Sequence, residues 1–539
     1  MKTYNVILKK DVDYQSFWDD MENENDGGNL YIPNRRVDSP NLRPSSPRQT
    51  WYTLTDEEAE AVGNDERVLA VEIPPEFRDD IIMMPKLIQS GDFTKTSSDT
   101  GEYINWGLIR SNSESNNYGS GTTTSEDFIY TIDGNGVDIV IQDSGIEPYH
   151  PEWSGSMGEQ RLDMHDWFSV SLISGSTQSV NHYRDYHGHG THVAGIAAGK
   201  TYGWAKGAKI YSQKLRGLEG SGDSNTGITA TYAFDTIKEW HNNKESDLRT
   251  GFKRPTVVNM SWGYLAGFDT VSSLTYMGTS YTDSNTTSNA SYRETNYGLV
   301  NNSGAAYGVN FICNLRVTSV DIDVEEMIDA GIVVCIAAGN RSHKIDVEGG
   351  DDYDNFVVTD TGTQYYHRGS SPYSDKAIIV GNVDSSVHSS VLDRKATSSE
   401  CGPGVDIYAP GTNIMSACSN TNQIGGQTYY WDSNYKQANI GGTSMAAPQV
   451  AGIAALILQT SPNATPQQVK ETLLNVASSS LYSTGLDNDW TDDRSVKGGN
   501  TKIVYNKYNV DESGKFIGFS NINTILSATK GNSNILIKN

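Results

Sequence analysis

The sequence predicts an α/β fold in which helices cover both faces of a central, mostly parallel sheet, preceded by a small α+β domain with a four-stranded sheet. Three observations carry this. The chain has 539 residues, more than the roughly 250–300 at which a single hydrophobic core stops growing. Its first 75 or so residues run strand, helix, strands, helix, strand. From Trp106 onward strands alternate with helices, the pattern of parallel strands joined by helical crossovers.

In order along the chain, residues 4–9 read as a short strand, and residues 13–22 carry Tyr14, Phe17, Trp18 and Met21 at helical spacing. Pro33, Pro40, Pro44 and Pro47 mark a loop, after which residues 51–54 resume strand character. Thr55-Asp56-Glu57-Glu58 is a capping box for a helix ending near Gly63, and residues 67–73 return to strand before Pro74-Pro75. In the larger region, residues 137–141 and 332–336 read as buried strands, with helices over 192–198, 226–240, 320–330 and 448–458. The stretches 264–316, 341–375 and 478–512 are polar and weakly periodic, which predicts surface insertions rather than added core.

Composition excludes several classes. Lys plus Arg total 41 against 66 Asp plus Glu, a net charge of −25 that repels nucleic-acid phosphates and anionic lipid. No nucleic-acid or membrane partner is expected, and no window approaches the ~18 apolar residues of a membrane span. The first residues lack the apolar core of a signal peptide, so the expectation is synthesis in the cytoplasm, with a final location that is cytoplasmic, virion-associated or released. Cys313, Cys335, Cys401 and Cys418 are too few for a disulfide scaffold; thiols are expected, with a Cys401 to Cys418 bridge left open.

Three short motifs carry chemistry. The strand over 137–142 ends in Asp143-Ser144-Gly145, placing a carboxylate at the C-terminal edge of a parallel sheet, where such folds gather their sites. His187-Gly188-His189-Gly190-Thr191-His192 enters a helix of small apolar residues. Gly441-Gly442-Thr443-Ser444-Met445-Ala446-Ala447-Pro448 opens an all-apolar helix whose first turn offers unpaired N–H groups beside a hydroxyl, with Pro448 assigned to that turn. A serine becomes a nucleophile when a histidine takes its proton, and the histidine needs a carboxylate to fix its tautomer. The chain order Asp143, His189, Ser444 is one of the known orders of that triad. Ala337-Ala338-Gly339-Asn340 adds an amide able to donate to an oxyanion.

On these motifs, with His150-Pro151-Glu152 beside the first, the chain resembles the subtilisin-like serine proteases, and Thr201-Tyr202-Gly203-Trp204 is similar to their proteinase-K-like branch. The resemblance implies a three-layer α/β sandwich preceded by a ferredoxin-like propeptide that helps folding, blocks the cleft and is cut away. The implied division is a propeptide over 1–75, a processing linker over 76–104 and a catalytic domain over 105–539. The implied reaction is peptide-bond hydrolysis in polypeptide substrates, with Asp143, His189 and Ser444 as triad and Asn340 in the oxyanion hole. It also maps Gly220-Ser221-Gly222 and Ser261-Trp262-Gly263 onto two extended segments that hold the peptide, and Ala337, Ala338 and Gly339 onto a wall of the first pocket. Gln449 stands where the family usually has His. No cofactor is implied for catalysis, while structural calcium fits the acidic run 346–354 and the cluster Asp487, Asp489, Asp492 and Asp493 less well than solvated loops do.

Two rival readings follow from the same residues. His187, His189 and His192 have the histidine spacing of a metal-dependent hydrolase, with Thr191 in place of that motif's Asp. A non-catalytic virion or structural protein retaining the fold is the other. Neither accounts for Ser444 and Asn340 together.

Overall fold

The computed structural model describes residues 1–508 apart from 23–36, 38, 40, 43–44, 79–80, 86–104, 117–127, 129, 156–157, 170–176, 224, 247–250, 303, 390–391 and 486–488. In the N-terminal domain, β1 (Lys2–Leu8), α1 (Tyr14–Glu22), β2 (Gln49–Leu54), α2 (Asp56–Gly63) and β3 (Val68–Glu72) follow the predicted order. β1 pairs antiparallel with both β2 and β3, and the short strand Asn41–Leu42 on the far edge of β2 makes the fourth strand. The predicted capping box closes α2: Thr55 Oγ1 accepts the Glu58 N–H and Glu58 Oε2 accepts the Thr55 N–H. Val6, Leu8, Phe17, Met21, Tyr52, Leu54 and Val62 fill this domain's own core.

The large domain is built on β5 (Asp138–Asp143), α3 (His189–Ala198), β6 (Lys209–Lys214), α4 (Ala230–Asn242) and β7 (Thr256–Met260). It continues through β8 (Trp262–Phe268), β9 (Phe311–Asn314), α5 (Thr318–Asp329), β10 (Val333–Ala337), β11 (Ile378–Ser389) and β12 (Ile407–Pro410). Last come β13 (Ile414–Cys418), β14 (Lys436–Ile440), α6 (Thr443–Thr460) and α7 (Pro466–Val476). Strands β6, β5, β7, β10, β11 and β12 lie side by side and parallel. Their side chains alternate between two cores. Ile139, Ile141, Val333, Cys335 and Ala337 pack with α3 and α6. Val140, Val334 and Ile336 pack with α4 and α5 on the opposite face. Burial on both faces explains why β5 and β10 are almost wholly apolar between their ends, and the result is the three-layer sandwich.

The structure departs from the sequence reading in several places. The stretches 264–316 and 341–375 are not loose insertions: strands Val271–Tyr276, Thr279–Tyr281, Phe356–Thr359 and Gly362–Tyr365 combine into one antiparallel sheet. Leu274, Tyr297, Val357 and Tyr366 join the main core. Each stretch supplies only part of the sheet, so neither shows its periodicity alone. Within 478–512, Val496, Ile503 and Val504 are buried as well, and the Val504 N–H bonds to the Tyr408 carbonyl. The acidic run is only partly solvated: Glu348, Asp351 and Asp354 are exposed, while Asp346 and Asp352 are buried and share the Lys344 ammonium at 3.1 and 2.7 Å. All four cysteines are buried free thiols; Cys401 bridges to Lys344 by backbone while Cys418 lies against Gly188, so that pair does not form. Among the described residues, no helix is long and apolar enough to cross a membrane.

Candidate active site

Parallel pairing brings the motifs together. In register, Gln142 of β5 faces Met260 of β7, which faces Ile336 of β10. Asp143, Ser261 and the Ala337–Asn340 segment therefore leave the same sheet edge on three adjacent strands, about 4.8 Å apart from one to the next. The helices bring the other partners to that edge. α3 begins at His189 and packs on α6, which carries Ser444 in its first turn. Gly452 makes the close approach possible, because a Cβ there would lie 2.7 Å from the Ala197 carbonyl oxygen and 2.6 Å from Trp204 Cβ.

His189 Nδ1 is 2.8 Å from Asp143 Oδ1, and both side chains are fully buried. Since Asp143 is an acceptor, Nδ1 carries the proton and Nε2 is left as the basic nitrogen. Nε2 is buried and has no hydrogen-bond partner among the described residues. The Ser444 hydroxyl donates to the Ser261 carbonyl at 3.0 Å, so it is held at the sheet edge rather than on the imidazole. Asn340 Oδ1 accepts both the N–H and the hydroxyl of Thr443, at 2.9 and 3.1 Å. That pair of bonds fixes the amide's orientation and leaves Nδ2 buried with no partner among the described residues, a donor in waiting beside the nucleophile.

Pro448 lies inside α6, which starts at Thr443, rather than in its first turn. A proline there withholds the N–H that the Ser444 carbonyl would accept four residues back. The Ser261 hydroxyl supplies the missing donor at 3.1 Å, and in turn accepts from Asn259 Nδ2 at 2.8 Å. Gln449, the family departure, is a structural hub whose Oε1 accepts from Trp204 Nε1 and Asn105 Nδ2.

Sequence reasoning missed Asp185. This buried carboxylate accepts the N–H groups of His187, Gly188 and Thr191 and the hydroxyls of Ser144 and Thr191. It thereby caps α3, whose N-cap residue Gly188 has no side chain to do so. An Asp four residues before His189 was the available signal.

The two remaining histidines of the motif diverge. His192 Nε2 lies between the carbonyls of Ile414 and Ala438, and burial lowers its pKa to about 3. His187 is 6.0 Å from His189, ring to ring, and burial followed by the neighbouring imidazole lowers its pKa. Among the described residues, only Asp235, Asp323 and Glu326 come within joint metal-ligating reach, and Lys238 already spans two of them at 3.5 and 2.6 Å. The metal-hydrolase arrangement is thus not the one the histidines adopt.

Of the two segments expected to hold peptide, Trp262 and Gly263 lie on β8. Trp262 is fully buried with its indole N–H on Gln142 Oε1. Gly220-Ser221-Gly222 is not extended: it forms a turn closed by the Asp223 N–H on the Gly220 carbonyl, with Gly222 at φ 90°. Ala338 donates to the Val380 carbonyl and Gly339 to Thr443 Oγ1, which anchors Ala337–Gly339 as a wall. The free edge of β8 is taken by β4 (Ile81–Pro85), running antiparallel with Pro85 opposite Trp262 and Met84 opposite Gly263.

Among curated proteins, an extracellular serine proteinase of Thermus sp. (strain Rt41A) is 29% identical over 350 residues, covering 65% of this chain and 57% of that protein. Subtilisin-like protease 5 of Arthroderma gypseum is 30% identical over 327 residues, covering 60% and 53%. The chain thus spans just over half the length of these relatives. Among solved structures, fervidolysin from Fervidobacterium pennivorans, described as a keratinolytic enzyme related to subtilisin, aligns with a TM-score of 0.52 over 94% of this chain and 60% of its own, at 18% identity. At that identity the likeness is one of fold. The profile of the subtilase family matches residues 134–506, more than half of the chain and all four motif residues, and the chain belongs to that family.

Proposed function

We propose that this chain is a serine endopeptidase made as a self-processing zymogen. The observation that carries the reading is the buried Asp143–His189 pair at the start of α3, packed on the helix that carries Ser444 in its first turn, with His189 Nε2 and Asn340 Nδ2 both lacking partners among the described residues. The Ser444 hydroxyl leaves the Ser261 carbonyl, gives its proton to His189 Nε2 and attacks the scissile carbonyl carbon. Asn340 Nδ2 and the Ser444 N–H, at the positive end of α6, hold the oxyanion. The C–N bond then breaks, His189 returns the proton to the leaving amine, and water hydrolyses the acyl ester by the same steps reversed. Asp143 keeps the ring oriented and stabilises the imidazolium. The side chains, the Ser444 N–H and a water supply this chemistry, and with Asp346 and Asp352 compensated by Lys344 that acidic run is not put forward as a calcium site.

The zymogen reading is supported by the docking of the N-terminal domain. α5 and α4 have no side-chain cap of their own. Glu72 accepts the Ser319 N–H at 2.8 Å, and Glu76 accepts the Thr231 N–H at 3.0 Å, so residues of the N-terminal segment cap both helices. β4 then lies along β8 where a substrate strand would add. The predicted cut between about Pro75 and Trp106 falls largely outside the described residues. The test is to express wild type and Ser444→Ala in parallel and sequence their N-termini. A shortened wild type with activity on a denatured protein substrate, beside a full-length inactive variant, supports the reading; identical processing and activity in both contradicts it.

A further inference from the structure

Main-chain pairing along β8 is indifferent to side chains, so selectivity falls to the pocket between Ser261–Gly263 and Ala337–Gly339. One buried carboxylate lies where these walls meet. Glu400 Oε1 accepts from Asn314 Nδ2 at 3.1 Å, and Asn314 is on β9, paired with β8 behind the first wall. The same oxygen accepts the Arg341 N–H at 3.1 Å, just beyond the second wall. The Glu400 N–H donates to the Gly339 carbonyl at 2.9 Å. A Cβ built on Gly339 would sit 2.6 Å from Glu400 Cγ and 3.1 Å from its Oε1. The side chain therefore lies directly against the wall glycine, and Glu400 is fully buried.

We propose that Glu400 makes this pocket select a basic side chain, Lys or Arg, on the acyl side of the scissile bond. The inference rests on the endopeptidase reading above. Hydrogen bonds from Asn314 Nδ2 and the Arg341 N–H orient a buried carboxylate against Gly339, and a cation brought beside it is stabilised far more than at the surface. The register of β4 points the same way. The next residue of a strand seated in that register stands opposite Ser261, whose carbonyl holds the Ser444 hydroxyl at 3.0 Å. In sequence the residue after Pro85 is a cation, Lys86, which lies outside the described residues. Among the described residues, the competing charges are Arg341 and the buried Lys395, both close enough to sense Glu400.

The test profiles processed wild type and Glu400→Gln on fluorogenic peptides that differ only at the residue before the cut, with active sites counted by a fluorophosphonate. The expected wild-type ratio of kcat/KM for Lys over Leu is at least about 10², and Glu400→Gln loses most of that ratio. Equal cleavage of Leu and Lys peptides by wild type means that the protein's own cations already compensate the carboxylate, and overturns the inference. A Glu400→Gln ratio equal to that of wild type overturns it too. If the variant fails to fold, the wild-type ratio alone decides. A wild type that takes no fluorophosphonate and cuts no peptide overturns the endopeptidase reading, and the inference with it.

Discussion

His189 is held by one 2.8 Å bond from Nδ1 to Asp143, and that choice of nitrogen decides what the ring can do. Asp143→Asn replaces an acceptor with an amide that can donate, favouring the wrong tautomer; kcat is expected to fall about 10⁴-fold in steady-state assays while peptide KM stays near that of wild type. Asn340 works differently, since its Nδ2 gains a partner only when the oxyanion forms. Asn340→Ala is expected to lower kcat roughly 10²–10³-fold with little change in KM, and unaltered turnover would reject its role. The four motif residues were legible because their chemistry demands particular residue types at strand ends and helix starts. Ser261 Oγ was not legible as the donor to the Ser444 carbonyl, because the need arises only from Pro448 being inside α6, and the donor lies 183 residues away in sequence.

At the scale of elements, the site depends on two buried helices approaching closely. Gly452→Ala would place its Cβ 2.7 Å from the Ala197 oxygen, against backbone that cannot yield cheaply. The expected cost is about 1–3 kcal/mol in denaturant unfolding, with a fall in kcat as α3 and α6 separate; a neutral effect on both would contradict the packing account. The helix caps make a second prediction. Glu72→Ala removes the acceptor for the Ser319 N–H at the start of α5, a loss of about 1 kcal/mol that should weaken inhibition by an added N-terminal domain about fivefold. Helices and parallel strands were readable because each carries its own burial pattern. The sheet made by residues 271–276, 279–281, 356–359 and 362–365 was not, since its two halves are joined across the whole of α5 and β10. The Gly220–Gly222 turn escaped for a related reason: glycine permits both an extended segment and φ 90°, and tertiary contacts with Tyr186 decide between them.

For the whole molecule, three of the fully buried imidazoles link stability to pH most strongly. Burial lowers the pKa of His192, His343 and His367 to about 3 each. Below about pH 6.5 the unfolded chain protonates these rings while the folded chain does not, so stability is complete above that pH and falls as pH drops toward about 3. The slope is about 1.4 kcal/mol per pH unit for each ring, which predicts a steep loss of thermal stability between pH 6 and 4. His343 Nε2 accepts the Val300 N–H and His367 Nε2 faces the Gly298 carbonyl, so the 298–300 segment should lose hydrogen-exchange protection in step with that loss. The most direct test of the central claim, that Asp143 and His189 activate Ser444, is fluorophosphonate labelling of processed protein followed by peptide mapping. The account predicts one adduct per chain, on Ser444, with the labelling rate reduced at least about 10³-fold in His189→Ala. Undiminished labelling in that variant, or an adduct on another residue, would contradict it.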